Sequence, residues 1–214
     1  MVRAPRATAS AAPLGAVKVC AIECAPMSPS RPLVFVRHGA THANIAQLRC
    51  GGDLDVPLIE LGRRQAVETA QRIRDLRLPI GLIFTSSLQR AHETATIISD
   101  ELRGVEVAVE PALAERYLGT WNMRPINETQ AAFEAGETPL GGESNAAFIE
   151  RVGRGLEKIV PRLEEQPLLV ASKGVARAIC ELLGLEWRQI LSNGEIARFD
   201  LAPFASPRPD RVRT

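Results

Sequence analysis

The chain has few cysteines, almost no net charge and no long apolar run, and each of these absences excludes a class of protein. Its four cysteines (Cys20, Cys24, Cys50 and Cys180) lack the paired spacing of a zinc site, and a chain of 214 residues needs no disulfide staples. A net charge of +1 offers no electrostatic footprint for nucleic acid or an anionic membrane surface. No apolar run approaches the roughly 20 residues of a membrane-spanning helix. We therefore expect a cytoplasmic protein that binds neither nucleic acid nor membrane.

Composition and the two end segments predict one folded domain with unstructured ends. With 45% hydrophobic and 24% charged residues, a chain of this length can bury one sizeable core. The first thirty residues are rich in alanine, proline and serine and contain no acidic residue before Glu23. We predict a disordered extension over residues 1–30, a domain over 31–204 and a disordered tail over 205–214. A targeting segment, or a translation start at Met27, is the alternative for the extension.

The most informative segment is a short apolar strand that leads into an arginine, a histidine and a glycine. Residues 33–36 read Leu-Val-Phe-Val, which is typical of a buried strand, and Arg37, His38 and Gly39 follow directly. In open α/β sheets, ligands bind beyond the carboxyl ends of the strands. Arg37 offers a planar fork of donors for a phosphate, His38 is a nucleophile at neutral pH, and Gly39 permits close backbone approach. The segment thus predicts a bound anion beside an attacking nitrogen.

Strand and helix patterns alternate along the rest of the domain. Strands are predicted at 33–36, 82–84, 105–109, 168–171 and 196–201, and helices at 61–76, 88–102, 146–163 and 175–183. On the first helix, Val67, Ala70 and Ile73 are expected to form the buried stripe. Such alternation is typical of a mainly parallel sheet covered by helices on both faces. We therefore predict an α/β fold with three layers, α/β/α.

The strand followed by Arg37-His38-Gly39 resembles the signature of the histidine phosphatase, or phosphoglycerate mutase-like, superfamily. Further matching features follow in the expected order between about residues 32 and 203: Asn44, a glycine-started helix at Leu61-Gly62-Arg63, the segment Thr85-Ser86-Ser87-Leu88-Gln89-Arg90, Glu115 with Gly119 and Trp121, and Gly141-Gly142-Glu143-Ser144. The resemblance implies the same three-layer architecture.

The resemblance also implies a chemistry for these residues. Arg37 and Arg90 would clamp a phosphate, with Asn44 as an additional amide donor, and His38 would attack phosphorus to form a phosphohistidine. Glu115 occupies the position of the family's proton donor. Because the arginines supply the positive charge, neither a metal nor another cofactor is expected.

One position departs from the family's pattern. The last motif of the family is a strand that ends in Ser-His-Gly, whereas this chain reads Ser172-Lys173-Gly174. Lysine keeps a positive charge in place of the second catalytic histidine, but on a flexible stem with a less directed geometry. One hypothesis is a slower phosphatase in which Lys173 helps bind the phosphoryl group. The other is a pseudophosphatase that binds phosphorylated ligands or a partner, with Lys173 paired to Glu115 so that the pKa of that acid falls.

The length of the segment after Glu115 separates hydrolysis from mutase activity. Cofactor-dependent mutases of the family carry a long insertion there, whereas this chain has only residues 123–140 before Gly142. A short cover leaves a phosphohistidine open to water, so a phosphatase is favoured over a mutase. The expected partner is a small phosphorylated metabolite, such as a sugar, nucleotide-derived or cobalamin-precursor ester, and the expected assembly is a monomer or homodimer.

Other histidines and aromatic residues near the motifs are expected to be surface or packing groups. His42 and His92 are typical of surface histidines, although His42 is four residues from His38 and is a candidate for the pocket mouth. Tyr117 and Trp121 are typical of packing aromatics, with a place beside the substrate as the alternative.

Overall fold

One sheet with helices on both faces forms the fold. The computed structural model describes residues 18–19, 32–187 and 191–205. Within these residues, six strands pair in the order β1-β6-β2-β5-β3-β4. The strands are β1 (Lys18–Val19), β2 (Leu33–Arg37), β3 (Leu82–Thr85), β4 (Val107–Val109), β5 (Pro167–Ala171) and β6 (Ile196–Phe199). The α-helices are α1 (His42–Ile45), α2 (Glu60–Asp75), α3 (Gln89–Glu101), α4 (Ile126–Glu134), α5 (Asn145–Ile159), α6 (Lys173–Leu182) and α7 (Ala202–Ala205), and 3-10 helices span Pro111–Leu113, Gly119–Trp121 and Val160–Glu165.

Two buried cores lie on opposite faces of the sheet. Strand β2 shows the alternation: Leu33 and Phe35 belong to one core, and Val34 and Val36 belong to the other. Helices α5 and α6 cover the first core, and α2 and α3 cover the second. Phe35 packs edge-on against Phe199, with ring centroids 5.7 Å apart. The predicted three-layer α/β/α fold is therefore confirmed.

The sheet is mainly parallel, as predicted, with one reversal near its edge. Strands β2, β5, β3 and β4 run parallel to one another, whereas β6 runs antiparallel to β2. Every residue of β3 and β5 is buried, which accounts for the apolar runs at 82–84 and 167–171.

Several helix details differ from the prediction for identifiable reasons. The helix predicted over 146–163 ends at Ile159 and continues as a 3-10 helix, because Pro161 has no amide hydrogen to donate. On α2 the stripe predicted through Val67 was wrong, since Val67 is 40% exposed while Ala66, Ala70 and Ile73 are buried. At 3.6 residues per turn, those three residues share one face and Val67 lies beside it. Helices α1, α4 and α7 were not predicted.

The end segments fall mostly outside the described residues. Lys18 and Val19, within the predicted disordered extension, pair in parallel with Ala197 and Arg198 of β6, so disorder was the wrong expectation for these two residues. Their pairing follows from the open edge that β6 presents to a neighbouring chain segment. Ala205, the first residue of the predicted tail, is the last residue of α7. Disorder over the rest of 1–30 and over 206–214 stays a prediction.

Strand register places the two family motifs at one edge of the sheet. Arg37, the last residue of β2, is opposite Ala171, the last residue of β5. The amide of His38 then donates to the carbonyl oxygen of Ala171 at 3.0 Å. The residues that follow the two strands, His38 and Ser172 with Lys173, are thus neighbours at the carboxyl edge.

Two glycines allow the backbone beside His38 to touch the start of α2. A Cβ atom on Gly62 would lie 2.7 Å from the amide nitrogen of Ala40, and a Cβ atom on Gly39 would lie 2.9 Å from the Cα of Gly62. The amide of Gly39 also donates to Thr94 Oγ1 of α3 at 3.0 Å. The chain after His38 is therefore fixed by direct backbone contact, with no room for a side chain.

We expect Gly62→Ala to lower the free energy of unfolding by about 1–3 kcal/mol, because two backbone segments must separate to admit the methyl group. Urea denaturation measures the change. Gly153→Ala on α5 is the matched control: its Cβ would meet only Leu182 methyl groups, at 3.7 and 3.8 Å. There, higher helix propensity should leave stability unchanged or raise it by about 1 kcal/mol. Equal losses for both variants would contradict the tight contact at Gly62.

Candidate active site

A cavity of about 570 Å³ opens at the carboxyl edge of the sheet. The residues for which the sequence predicts a site role all line it: Arg37, His38, Asn44, Arg90, Glu115 and Lys173. They come from the ends of β2 and β5, from α1, α3 and α6, and from the loop after the 3-10 helix Pro111–Leu113. The fold thus brings groups from four separate parts of the sequence, at residues 37–44, 90, 115 and 173, into one concave surface.

His38 is buried, neutral and held in one orientation. Its side chain is 4% exposed, and Nδ1 lies 2.7 Å from the carbonyl oxygen of Gly39. Because a carbonyl oxygen only accepts, Nδ1 carries the hydrogen and Nε2 keeps its lone pair. Burial lowers the pKa of His38 well below its ordinary value of 6.5, and repulsion from Arg90 and Arg37 lowers it further. An unprotonated Nε2 is therefore present at neutral pH.

Two largely buried guanidinium groups lie beside this imidazole. Arg90 is 1% exposed and donates from Nη1 to Leu54 at 3.1 Å and from Nη2 to Gly51 at 3.0 Å, both at carbonyl oxygens. Arg37 donates from Nη1 to the carbonyl oxygen of Leu191 at 2.6 Å. Its Nε is buried and has no hydrogen-bond partner in the described part of the chain. Burial of positive charge with an unused donor favours an oxyanion here.

Two backbone amides hold the carboxylate of Glu115. Oε1 accepts from the amide of Arg116 at 2.8 Å, and Oε2 accepts from the amide of Gly174 at 3.0 Å. A Cβ atom at position 174 would collide with this carboxylate, so glycine is needed there. The acid predicted from the loop motif is therefore oriented by the first turn of α6, directly beside Lys173.

Lys173 is the first residue of α6, and its ammonium group makes no ion pair within 4.0 Å among the described residues. The hypothesised pair with Glu115 was therefore wrong: the two backbone amides occupy that carboxylate instead. Partial burial in the cavity lowers the pKa of Lys173, and repulsion from Arg37 adds to this, whereas Glu115 opposes it. Lys173 thus adds an unpaired positive charge to the cavity wall.

Asn44 is fixed by its oxygen, and within residues 32–187 and 191–205 its side-chain amide donates no hydrogen bond. Oδ1 accepts from the amide of Thr41 at 3.1 Å, as part of the capping box of α1, and from Asn193 Nδ2 at 3.1 Å. Asn193 Nδ2 also donates to the carbonyl oxygen of His38 at 2.9 Å. The sequence carries a signal for the cap in Thr41-x-x-Asn44, but none for Asn193.

The outer wall of the cavity was not predicted. Helix α4 contributes Phe133, and three guanidinium groups surround that ring: the Cζ atoms of Arg49, Arg177 and Arg116 lie 4.3, 5.5 and 5.6 Å from its centroid. Single arginines in different segments form no recognisable motif, so only the tertiary structure reveals this cluster.

The remaining candidate residues lie away from the cavity lining. His42 on α1 and His92 on α3 are exposed, and neither is among the lining residues. Trp121 is buried and packs against Phe133, with ring centroids 6.4 Å apart. Tyr117 is 39% exposed, and the guanidinium of Arg151 lies 4.9 Å above its ring. All four therefore have surface or packing environments.

Two further searches concern only the part of the chain that the structure describes. No helix there combines the length and apolar character needed to cross a bilayer. No group of three or more His, Cys, Asp or Glu side chains there is arranged to hold a metal ion.

Comparisons with known proteins match this geometry. Residues 33–202 match the histidine phosphatase superfamily (branch 1). The chain is 34% identical to phosphoglycerate mutase-like protein 4 of Arabidopsis thaliana over 163 residues, 70% of this chain and 69% of that protein. It is 35% identical to the metal-independent phosphoserine phosphatase of the same plant over 159 residues, 69% of this chain and 66% of that protein. A solved mycobacterial glucosyl-3-phosphoglycerate phosphatase superposes with a TM-score of 0.63 at 32% identity, covering 73% of this chain and 84% of that one. The chain belongs to the histidine phosphatase superfamily.

Proposed function

We propose that this protein hydrolyses a small phosphomonoester through a phosphohistidine intermediate on His38. The observation that carries the proposal is the state of His38: a neutral imidazole whose Nδ1 hydrogen is bound to the Gly39 carbonyl, beside Arg37 and Arg90. A nucleophile with a free Nε2 lone pair and two neighbouring guanidinium groups matches what phosphoryl transfer requires.

In the first step, Nε2 of His38 attacks phosphorus in line with the leaving oxygen. A nitrogen–phosphorus bond forms while the phosphorus–oxygen ester bond breaks, and the leaving oxygen takes a proton from the carboxyl group of Glu115. Arg37 and Arg90 stabilise the equatorial oxygens, and Asn44 adds an amide donor. In the second step, water attacks phosphorus and gives a proton to the carboxylate of Glu115. The new oxygen–phosphorus bond forms while the nitrogen–phosphorus bond breaks, which releases inorganic phosphate and returns the electron pair to Nε2 of a neutral His38.

Lys173 supplies charge in this mechanism in place of a histidine ring. Its side chain lines the same cavity as Arg37 and Arg90, and burial together with repulsion from Arg37 lowers its pKa. A lysine stem fixes the donor less firmly than an imidazole does, and slower turnover follows from this. The second candidate function is a pseudophosphatase that binds phosphorylated ligands or a partner without turnover.

The cover of the cavity favours hydrolysis over phosphoglycerate mutase activity. The segment between Glu115 and α5 contains a three-residue 3-10 helix and one nine-residue α-helix, α4, and the cavity remains open beside α4. A phosphohistidine that is open to solvent transfers its phosphoryl group to water. A mutase must instead keep its substrate bound beside the phosphohistidine so that the phosphoryl group is transferred back to it. The relatives described above include phosphatases for phosphoserine and glucosyl-3-phosphoglycerate, which is consistent with a small phosphorylated metabolite as substrate.

A metabolite panel with the full-length protein tests the proposal. We expect phosphate release from at least one phosphomonoester, at a rate that a chelator leaves unchanged, because arginine side chains supply the charge around the phosphoryl group. An activity that the chelator removes and a divalent ion restores would overturn the metal-independent mechanism. Absence of turnover on the whole panel, with binding of the same esters detected by calorimetry, would replace hydrolysis by the pseudophosphatase function.

A further inference from the structure

The serine before Lys173 occupies a helix-capping position without capping the helix. Ser172 is the N-cap of α6 and has the extended backbone conformation that is usual there, yet its side chain makes no capping hydrogen bond. In that conformation a serine hydroxyl can reach the amide of the second or third residue of the helix. In α6 these residues are Gly174 and Val175. The hydroxyl of Ser172 thus bonds to neither of the amides that a capping serine normally takes.

Both of those amides already have an acceptor. The amide of Gly174 donates to Oε2 of Glu115 at 3.0 Å. The amide of Val175 donates to the carbonyl oxygen of Ser172 at 3.1 Å. A carboxylate suits the positive end of a helix dipole, and it reaches this amide because position 174 has no Cβ atom. Glu115, from a distant segment of the chain, therefore caps α6 in place of the serine.

The hydroxyl that Glu115 displaces is buried and unused. Ser172 is 3% exposed, and its Oγ has no hydrogen-bond partner within residues 18–19, 32–187 and 191–205. A buried hydroxyl without a partner lowers the stability of a protein, so its presence requires an explanation. A second state of the site, in which this hydroxyl is bonded, supplies one.

Proton delivery by Glu115 creates such a state. As a general acid, Glu115 carries a hydrogen on one carboxyl oxygen and directs it to the leaving oxygen, so that oxygen is a poorer acceptor for an amide. Arg116 follows Glu115 directly in the chain and moves with it, whereas Gly174 belongs to α6. The bond to Gly174 is therefore the one that breaks, and its amide then needs another acceptor.

We propose that Ser172 is a positioning residue for the proton donor: its hydroxyl accepts from the Gly174 amide when the protonated Glu115 turns to the leaving oxygen. The inference rests on the proposed function, because that function makes Glu115 the general acid. The amide of Gly174 keeps one hydrogen bond throughout, so α6 stays capped while the acid is released. Ser172 acts through Glu115 and does not contact the reacting atoms.

A double-mutant cycle on stability tests this exchange without any need for turnover. In the wild-type background at neutral pH, Ser172→Ala should leave the urea midpoint unchanged or raise it, because the hydroxyl makes no bond there. In the Glu115→Ala background the Gly174 amide is released and Ser172 caps α6. There, Ser172→Ala should raise the equilibrium constant of unfolding by about 3- to 30-fold, the effect of losing a serine cap. Additive effects of the two substitutions would overturn the exchange.

Ser144→Ala is the matched control for the loss of a capping serine. Ser144 is the N-cap of α5, and its hydroxyl accepts from the amide of Ala147 at 3.1 Å. This substitution should destabilise the protein by the same factor with Glu115 present or absent. If its effect depended on Glu115 as strongly as that of Ser172→Ala, the dependence would reflect a general loss of structure, and the exchange would be wrong.

The leaving group separates proton delivery from a purely structural role. p-Nitrophenolate leaves without a proton, whereas the alkoxide of an alkyl phosphomonoester requires one. We expect Ser172→Ala to lower kcat/KM for the best alkyl ester of the metabolite panel by about 3- to 30-fold, and to leave that for p-nitrophenyl phosphate within a factor of about two. Ser144→Ala should leave the ratio of the two values at its wild-type level. Equal losses on both esters in Ser172→Ala would overturn the positioning role.

The stability and turnover measurements together separate this inference from the proposed hydrolysis. If the protein hydrolyses both esters, the cycle is additive and Ser172→Ala affects the two esters equally, the exchange is wrong and the hydrolase stands. If Ser172→Ala is destabilising only in the Glu115→Ala background and no ester is turned over, the exchange of caps on α6 stands and the hydrolase is wrong.

Discussion

His38→Ala should reduce phosphomonoester turnover by about 10⁴- to 10⁶-fold, the scale seen when the nucleophile or its base is removed from a covalent catalyst. The reason is specific to this site: Nε2 of His38 is unprotonated, and Arg37 and Arg90 beside it bind anions but cannot form a covalent phosphoryl bond. Steady-state phosphate release on the best panel substrate measures the loss. Brief incubation with labelled substrate should also give an acid-labile phosphoprotein in the wild type only.

His92→Ala provides the control for loss of a histidine. His92 is exposed on α3 and outside the cavity lining, so its removal should leave turnover within a factor of about two, as for most surface substitutions. The mechanism would be contradicted if His38→Ala retained wild-type turnover while its circular dichroism and thermal unfolding matched the wild type. The labelled phosphoprotein would then have to form on another residue or not at all.

Lys173→His should raise turnover by roughly 10- to 1,000-fold, the scale at which one directed donor to a developing oxyanion contributes. The other catalytic motif residues are present around this departure, and the backbone amide of Gly174 already holds Glu115 at 3.0 Å. A histidine ring at the first position of α6 would present a fixed donor to the phosphoryl group. The same assay, with kcat and KM determined separately, measures the gain.

Lys173→Ala distinguishes the two roles that a lysine has at this position. If Lys173 stabilises the phosphoryl group, alanine should be slower than the wild type, whereas if it obstructs the site, alanine should be as fast or faster. If the wild type is active, and turnover neither rises in Lys173→His nor falls in Lys173→Ala, then the side chain at position 173 makes no contact with the transition state. An unchanged absence of activity in all three proteins, with phosphate esters still bound, would favour the pseudophosphatase.

The sequence predicts the inner part of the site because that part is attached to strand ends. Arg37 and His38 follow a continuous apolar strand, and Lys173 follows another, so the parallel register of β2 and β5 brings them together. Arg90 and Glu115 were identified by their family motifs. The hydrogen bonds of Arg90 could not be predicted, since the carbonyl groups of Gly51 and Leu54 belong to a loop whose path depends on tertiary packing.

The outer part of the site could not be predicted, for reasons that are visible in α4 and β6. Only Thr129 of α4 is buried, so the helix has little apolar periodicity in its sequence. Strand β6 has the alternating pattern of a strand, but the direction in which it pairs with β2 follows from the connection that precedes it. The cluster around Phe133 depends on both the position of α4 and the face of α6, and neither is encoded in a local motif.

The hydrogen bonds of Arg90 determine which residues can be used, in comparisons of related sequences, to recognise family members that have lost catalytic activity. Its guanidinium is inside the protein and holds the loop at Gly51 and Leu54, so a lineage that abandoned turnover would still keep this arginine for folding. Among the residues that the structure describes, the ring of His38 makes one hydrogen bond, to the carbonyl of the next residue, and so ties down no distant loop by hydrogen bonding. Mutational drift after loss of turnover would therefore remove the histidine first. Among related sequences, the persistence of this histidine reports selection for chemistry, whereas the persistence of the arginine does not.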